Sequence, residues 1–258
     1  MHPLLKLERS GHTAILTLQH PPANTWNRES LQALQQAVLD LNHDRSVYAL
    51  ILTGAGDRFF SAGADLNLFT SGDKAVARDM ARVFGEAFET LSRFRGVSIA
   101  AINGYAMGGG LECALACDLR IAEAHAQLAL PEAAVGLLPC AGGTQNLAWL
   151  VGEGWAKRMI LCGERLSAET ALQIGLVEEV VPRTQALAAA LALADKVARQ
   201  SPVSVAACKQ LIQRGRHQPI WHALETERES FAGLFDSEDQ AEGVRAFLEK
   251  RPPLWRNR

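Results

Sequence analysis

The stretch Ala100-Ala-Ile-Asn-Gly-Tyr-Ala-Met-Gly-Gly-Gly-Leu-Glu-Cys-Ala-Leu-Ala-Cys-Asp118 constrains this chain more than any other. Val97, Ile99, Ala100, Ala101 and Ile102 read as a buried strand, and Leu111, Ala114, Leu115 and Ala116 as a short, tightly packed helix. Between them stand Gly108, Gly109 and Gly110. Three glycines in a row cost backbone entropy, which is tolerable where φ is unusual or where something must come close to the main chain. A helix that begins there aims unpaired N–H groups, with the positive end of its dipole behind them, at whatever approaches. The pattern outlines a site for an anion or an oxyanion.

Around this centre strands and helices alternate. Leu4 to Glu8 and Thr13 to Leu18 read as two strands joined at Ser10-Gly11. A helix is expected from about Glu29 to Leu41, with Leu31, Leu34, Val38 and Leu41 on one face. Tyr48 to Thr53 reads as a strand, and residues 54 to 65 as a long, glycine-punctuated loop. Met80, Val83, Phe84, Ala87, Phe88 and Leu91 make a strongly amphipathic helix. Short strands are expected around Leu119 to Ala122 and Gln127 to Leu130. Beyond them the chain reads as helical over 144–150, 154–162, 168–173, 183–198, 203–214, 220–234 and 238–250. The expected organisation is an α/β core over residues 1–195 followed by a helical region over 196–258.

Charge and composition exclude several functions. With 26 basic and 28 acidic residues the formal net charge is −2, which is no nucleic-acid or membrane surface. Residues 1–6 lack the features of a secretory leader, and the longest apolar run, 186–194, is too short to span a bilayer, so a cytoplasmic location is expected. The five cysteines, at 113, 117, 140, 162 and 208, form no CxxC pair and stand beside no histidine cluster. Buried, reduced thiols are expected. The seven histidines show no metal-ligand spacing, and no metal is implied. Neither a dinucleotide fingerprint nor a P-loop is present.

Four pieces could carry chemistry. Ser61-Ala-Gly-Ala-Asp65 follows a strand and so lies at its carboxyl end, where open α/β sheets bind ligands. The triple glycine follows another strand. Leu130-Pro-Glu132 puts a carboxylate beside an apolar strand end, and Glu112 lies in the first turn of the central helix. Each has an ordinary alternative. Glu112 could merely complement a helix N-terminus, Glu132 could be a loop acid, Asp65 a turn residue, and Gly142-Gly143-Thr144 a helix cap.

Taken together, Ser61-Ala-Gly-Ala-Asp65, Asn103-Gly-Tyr-Ala-Met-Gly-Gly-Gly-Leu-Glu112, Leu130-Pro-Glu132 and Cys140-Ala-Gly-Gly-Thr-Gln145 resemble the motifs of the enoyl-CoA hydratase/isomerase (crotonase) family, in its order and near its spacing. The similarity runs from the N-terminal strands to about Arg251. It implies the crotonase (ClpP-like) fold, a spiral of ββα units followed by helices that mediate trimers, commonly paired into hexamers. It also implies an acyl-CoA substrate. CoA arrives as part of that substrate, so no separate cofactor is expected.

By the same resemblance, backbone N–H groups of Ala64 and Gly109 form an oxyanion hole for the thioester enolate, and Gly108 and Gly110 line the water and acyl pocket with Leu130 and Cys140. Such donors are worth about 2.7 to 4 kcal/mol each. Glutamates matching Glu112 and Glu132 hold one water in the family's hydratases, the first as its base and the second as the acid for C2. A helix N-terminus should favour ionised Glu112, and an apolar setting should raise Glu132. Isomerases of the family work with one glutamate, usually that matching Glu132. For CoA, the resemblance puts adenine against the backbone at Ala62 and Ala23, with Asp65 and Leu66 lining the pocket and Arg58 a candidate for the ribose phosphate. Lys250 is a candidate to reach a neighbouring subunit's CoA; for both cations a solvated surface charge is an equal alternative.

Three departures from the family stand out. Cys140 replaces a usual glycine at the water and acyl pocket, Leu130 replaces a residue that is often polar there, and Arg95-Gly96 stands where Lys-Pro is frequent. Cysteine at 140 implies a negative φ and a side chain turned away from the water into apolar packing.

Overall fold

A computed structural model describes residues 2–258. Its elements, in order, are β1 (Leu5–Ser10), β2 (Thr13–Leu18), α1 (Arg28–His43), β3 (Ala49–Gly54), β4 (Phe59–Ser61), α2 (Lys74–Ser92), β5 (Val97–Ile102), β6 (Tyr105–Met107), α3 (Gly109–Ala116), β7 (Leu119–Glu123), β8 (Gln127–Ala129), α4 (Gly143–Leu161), β9 (Leu166–Ser167), α5 (Ala168–Gln173), β10 (Glu179–Val181), α6 (Ala186–Ala198), α7 (Pro202–Gly215), α8 (Ile220–Gly233) and α9 (Glu238–Leu248).

Two sheets form, with strand orders β1-β2-β3-β5-β7-β10 and β4-β6-β8-β9. From β2 to β10 the larger sheet is parallel, with Thr13 opposite Ala49, Ala49 opposite Val97 and Ile99 opposite Leu119. Three strands of that sheet are each followed by a short strand of the smaller one and then by a helix, in β3-β4-α2, β5-β6-α3 and β7-β8-α4. This is the repeated ββα arrangement of the crotonase fold. Period-two alternation explains why the sheet is apolar on both faces. Leu50, Leu52, Ala100 and Ile102 face the main core with α1 and α2, whereas Ala49, Ile51, Ile99 and Ala101 face the alanine stripe Ala186, Ala190 and Ala194 of α6.

The strand at 59–61 corrects the reading of 54–65 as one loop, and β6 was likewise hidden in the glycine motif. Both have three residues, too few to show a period. The two helices expected over 144–150 and 154–162 are both present within Gly143–Leu161, separated by a kink at Gly152, whose φ of 76° and ψ of 162° are not helical. Helix α1 begins with a capping box, in which Asn27 and Ser30 exchange side-chain and backbone hydrogen bonds. The cysteines also need correction. Cys113 and Cys117 are buried, but Cys140, Cys162 and Cys208 are exposed; all five are free thiols.

The C-terminal helices are fastened to the core through polar contacts. Lys209 of α7 donates to the carbonyls of Phe94 and Gly96 and pairs with Asp118 at 2.7 Å. Arg95 donates to Asn257 Oδ1 at 2.8 Å, and buried Asp239 accepts from the Arg256 and Asn257 N–H groups. The departure at Arg95 therefore receives the end of the helical region. Helix α8 has no buried residue, and Trp221, Phe231, Phe247 and Leu248 are exposed. Among the described residues, no helix is long and apolar enough to cross a membrane.

Candidate active site

The centre of the site is the junction of β4, β6 and α3. Gly110 is required by close approach, because a Cβ there would lie 2.3 Å from the Ser61 carbonyl oxygen. Gly108 takes φ 53°, and its N–H donates to Ala129 at 2.9 Å. A Cβ on Gly109 would stand 3.7 Å from Ala64 N, so the two expected oxyanion donors lie side by side. Ala64 bridges Trp26, yet that bridge uses the Gly63 carbonyl and the Asp65 N–H. Alternation along an extended chain turns the Ala64 N–H the other way. Gly109 is the first residue of α3, where an N–H has no partner within the helix.

Two carboxylates border this point. Glu112 is 3% exposed, and its Oε1 accepts from Ala141 N at 2.7 Å and Gly143 N at 2.9 Å. Burial raises its pKa, against the pull of the Ala141, Gly143 and Cys140 backbone N–H groups. Desolvation of the buried carboxylate thus outweighs the N–H donors that favour its ionised form. Glu132 stands after β8 in a short 3-10 turn. Its Oε1 lies 3.1 Å from where a Gly108 Cβ would be, and its Oε2 is buried without a hydrogen-bond partner among the described residues. Burial pushes its pKa up to about 7, with the Glu112 charge adding to the rise and its own backbone N–H opposing it. The rise is in the direction expected.

Cys140 departs from the expectation made for it. Its φ is outside the left-handed region, but the residue is exposed, where packing against apolar neighbours was expected. The short segment 139–143 must keep its N–H groups on Glu112, and the Cys140 side chain is left on the outer side. Desolvation by surrounding protein pushes its thiol up to about 11, and the charges of Glu112 and Glu132 add to the rise. Cys140, Ala141 and Gly142 line a groove of about 1080 Å³ together with Val205 and Ile212 of α7. Leu130, expected at the acyl pocket, is instead fully buried in the main core.

The residues expected around CoA are partly gathered. Ala62 N donates to the Ala23 carbonyl at 3.0 Å, which joins the two segments expected at adenine. Asp65 caps the turn Leu66–Phe69 by accepting from Asn67 N, so its ordinary role as a turn residue is filled. Leu66 is exposed, and Arg58 is exposed with its guanidinium 5.1 Å from the Phe59 ring centroid. Lys250 lies past the end of α9, on none of these elements.

Some functional groups escaped the reading of the sequence. The N–H donors of Ala141 and Gly143 are backbone groups, which no residue type announces. Asn103 was visible only as a motif letter. Its amide holds the loop after β3, donating to Gly54 O and Gly56 O, both at 2.8 Å, and accepting from Gly54 N at 3.1 Å.

Comparison with known proteins gives the family of the chain. A family model described as enoyl-CoA hydratase/isomerase matches residues 8–258. The short-chain-enoyl-CoA hydratase of Clostridium acetobutylicum is 39% identical over 246 residues, which is 95% of this chain and 94% of that protein. Among solved structures, DspI of Pseudomonas aeruginosa is 67% identical with a TM-score of 0.96, covering 98% of this chain and 97% of its own. An enoyl-CoA hydratase from Bacillus anthracis is 35% identical with a TM-score of 0.95, covering 99% and 100%. The chain is therefore an enzyme of the enoyl-CoA hydratase/isomerase family.

Proposed function

We propose that this enzyme adds water syn across the 2,3 double bond of a 2-enoyl-CoA thioester to give a 3-hydroxyacyl-CoA, as a step in carboxylic-acid or fatty-acid degradation. The observation that carries this reading is the pair of unlike carboxylates beside the glycine turn. Glu132, with a pKa of about 7, holds a proton for much of the time at neutral pH and can deliver it to C2. Glu112 has one oxygen fixed by two N–H groups, which leaves the other to accept a proton from the attacking water.

The sequence of bonds is simple. Water oxygen bonds to C3 as its proton passes to ionised Glu112, and the electron pair of the double bond moves onto the thioester oxygen. The N–H groups of Ala64 and Gly109 stabilise that enolate, an interaction stronger in the transition state than in the ground state. Collapse of the enolate takes the Glu132 proton at C2. A proton shift from Glu112 to Glu132 restores the pair for the next turnover. CoA belongs to the substrate, and its nucleotide end is assigned to Ala23, Arg58, Ala62, Asp65 and Leu66, with Lys250 assigned to a neighbouring protomer's CoA.

A trimer, or a hexamer of two trimers, is part of the same proposal, supported by the exposed apolar residues of α8 and α9. So is a cytoplasmic setting. A second reading, 3,2-enoyl-CoA isomerisation, is favoured by one observation, the partner-free Oε2 of Glu132, since a single carboxyl could carry a proton between C2 and C4. Following the conjugated thioester absorbance of crotonyl-CoA, with a 3-enoyl-CoA in parallel, separates them. Loss of absorbance from 2-enoyl substrates supports hydration. A gain from the 3-enoyl substrate alone would replace it with isomerisation.

A further inference from the structure

The imidazole of His125 sits between two oxygens. Its Nε2 lies 3.0 Å from the Asp57 carbonyl oxygen, and its Nδ1 lies 3.6 Å from Oε2 of Glu123. Nδ1 and that Oε2 are both buried, and neither has a hydrogen-bond partner among the described residues. A carbonyl only accepts, so the hydrogen-bond network assigns the Nε2 proton to the ring. The remaining nitrogen faces a carboxylate, which also only accepts when ionised. The Nδ1 and Oε2 atoms thus face each other just beyond hydrogen-bond length, and closing the gap takes a shift of about half an ångström.

Glu123 does not act on His125 alone. It is 3% exposed, and its Oε1 accepts from Ala186 N at the start of α6 at 3.3 Å. The carboxylate is held on one side by a helix and offers its other oxygen to the ring. The chain that His125 holds is the loop after β3. Asn103 and Asn24 secure Gly54, Ala55 and Gly56. Asp57 depends on His125 at its carbonyl and on Arg183 at its carboxylate, at 2.6 Å. The next residue is Arg58.

We propose that His125, backed by Glu123, is a positioning residue for the nucleotide end of the substrate: it fixes the Asp57 carbonyl, and together with the Tyr105 N–H, which donates to the Arg58 carbonyl at 2.9 Å, it sets the chain from which Arg58 extends. This rests on the assignment of Arg58 to CoA made above. The ring's polar neighbours are the Asp57 carbonyl and Glu123, neither of them a group assigned to the chemistry, so its effect falls on affinity for the nucleotide and leaves the chemistry alone.

The test compares wild type, His125→Ala and His125→Gln by calorimetric binding of free CoA, by steady-state kinetics on crotonyl-CoA and on crotonyl-pantetheine, and by amide hydrogen exchange over residues 54–58. For His125→Ala we expect CoA binding to weaken about tenfold, a change of about 1.4 kcal/mol. The KM for crotonyl-CoA should rise in step while kcat and the KM for crotonyl-pantetheine hold, and exchange near Asp57 should quicken. His125→Gln, with one donor for the Asp57 carbonyl, should recover part of the affinity. Unchanged CoA binding by a folded His125→Ala protein overturns the proposal, as does an equal loss on crotonyl-pantetheine. Failure of wild type to bind CoA would instead overturn the CoA reading and the nucleotide role with it, while unchanged exchange at residues 54–58 would by itself refute the hold on the loop.

Discussion

Glu112 and Gly143 are joined by a hydrogen bond of 2.9 Å from the Gly143 N–H to Oε1, and a Cβ on Gly143 would fall 2.9 Å from that same oxygen. The first turn of α3 and the first turn of α4 are thereby locked together through a carboxylate, with no room for a larger residue. Glu112→Gln keeps an acceptor for the N–H donors and loses the base. Hydration should fall by about 100-fold or more, and Glu132→Gln should do the same by removing the acid. Either variant with native turnover of crotonyl-CoA would refute the two-carboxylate mechanism.

Glu132 makes both activity and stability depend on pH. Its pKa rises from 4.5 to about 7 on folding, so the folded chain retains a proton that the unfolded chain gives up. Stability from this group is therefore present below its ordinary pKa and is lost as pH rises toward about 7. Glu132→Gln removes that slope. Its Tm relative to wild type should be higher at alkaline pH than at acid pH. For hydration, kcat should decline as pH passes above about 7, because the acid for C2 is then ionised. A wild-type kcat flat across that range would assign the proton delivery to another group.

Ala64 tests the oxyanion hole without touching a catalytic side chain. Ala64→Pro deletes one N–H and should depress kcat by about 100-fold or more if that donor meets the enolate. Circular dichroism checks that proline has not disturbed the loop, since it also restricts the preceding residue. A folded variant with wild-type kcat would put the oxyanion elsewhere.

How much of this was legible depended on how many residues each feature used. Helix α2 declared itself through six apolar positions, and Met80, Val83, Phe84, Ala87, Phe88 and Leu91 are the residues it buries. The glycine turn was legible because a backbone so costly in entropy needs a reason, and the close approach of Ser61 to Gly110 supplies it. Strands β4 and β6 were not, since Phe59–Ser61 and Tyr105–Met107 are shorter than the pattern that identifies a strand. The rise in the Glu112 pKa was not legible for a related reason. Position in a helix can be read along the chain, but desolvation comes from segment 139–143 folding over it.

Assembly follows from the C-terminal helices. Phe247 is 82% exposed and Trp221 74% exposed, and covering a large apolar side chain contributes about 1.5 to 3 kcal/mol. Light scattering at micromolar concentration should give a trimer or hexamer. Phe247→Arg should shift the population toward smaller species by placing a charge in the covered face. A wild-type monomer under those conditions would reject the assembly.

Cys140 is the position where structure changed the expectation most, and its test changes with it. An exposed thiol on the groove wall should be open to alkylation, yet its pKa near 11 leaves very little thiolate at neutral pH. Iodoacetamide should therefore modify it slowly near neutrality and faster as pH rises, and bound acyl-CoA should slow the reaction further. Desolvation, and then the charges of Glu112 and Glu132, raise the thiol pKa, so the sulfur stays neutral and adds bulk without charge. Cys140→Gly should keep hydration of crotonyl-CoA within about tenfold, while its preference among acyl chains shifts because the wall has receded. Loss beyond about 100-fold in a folded Cys140→Gly enzyme would mean that the thiol itself takes part in the chemistry, since the backbone N–H at this position is the same in both proteins.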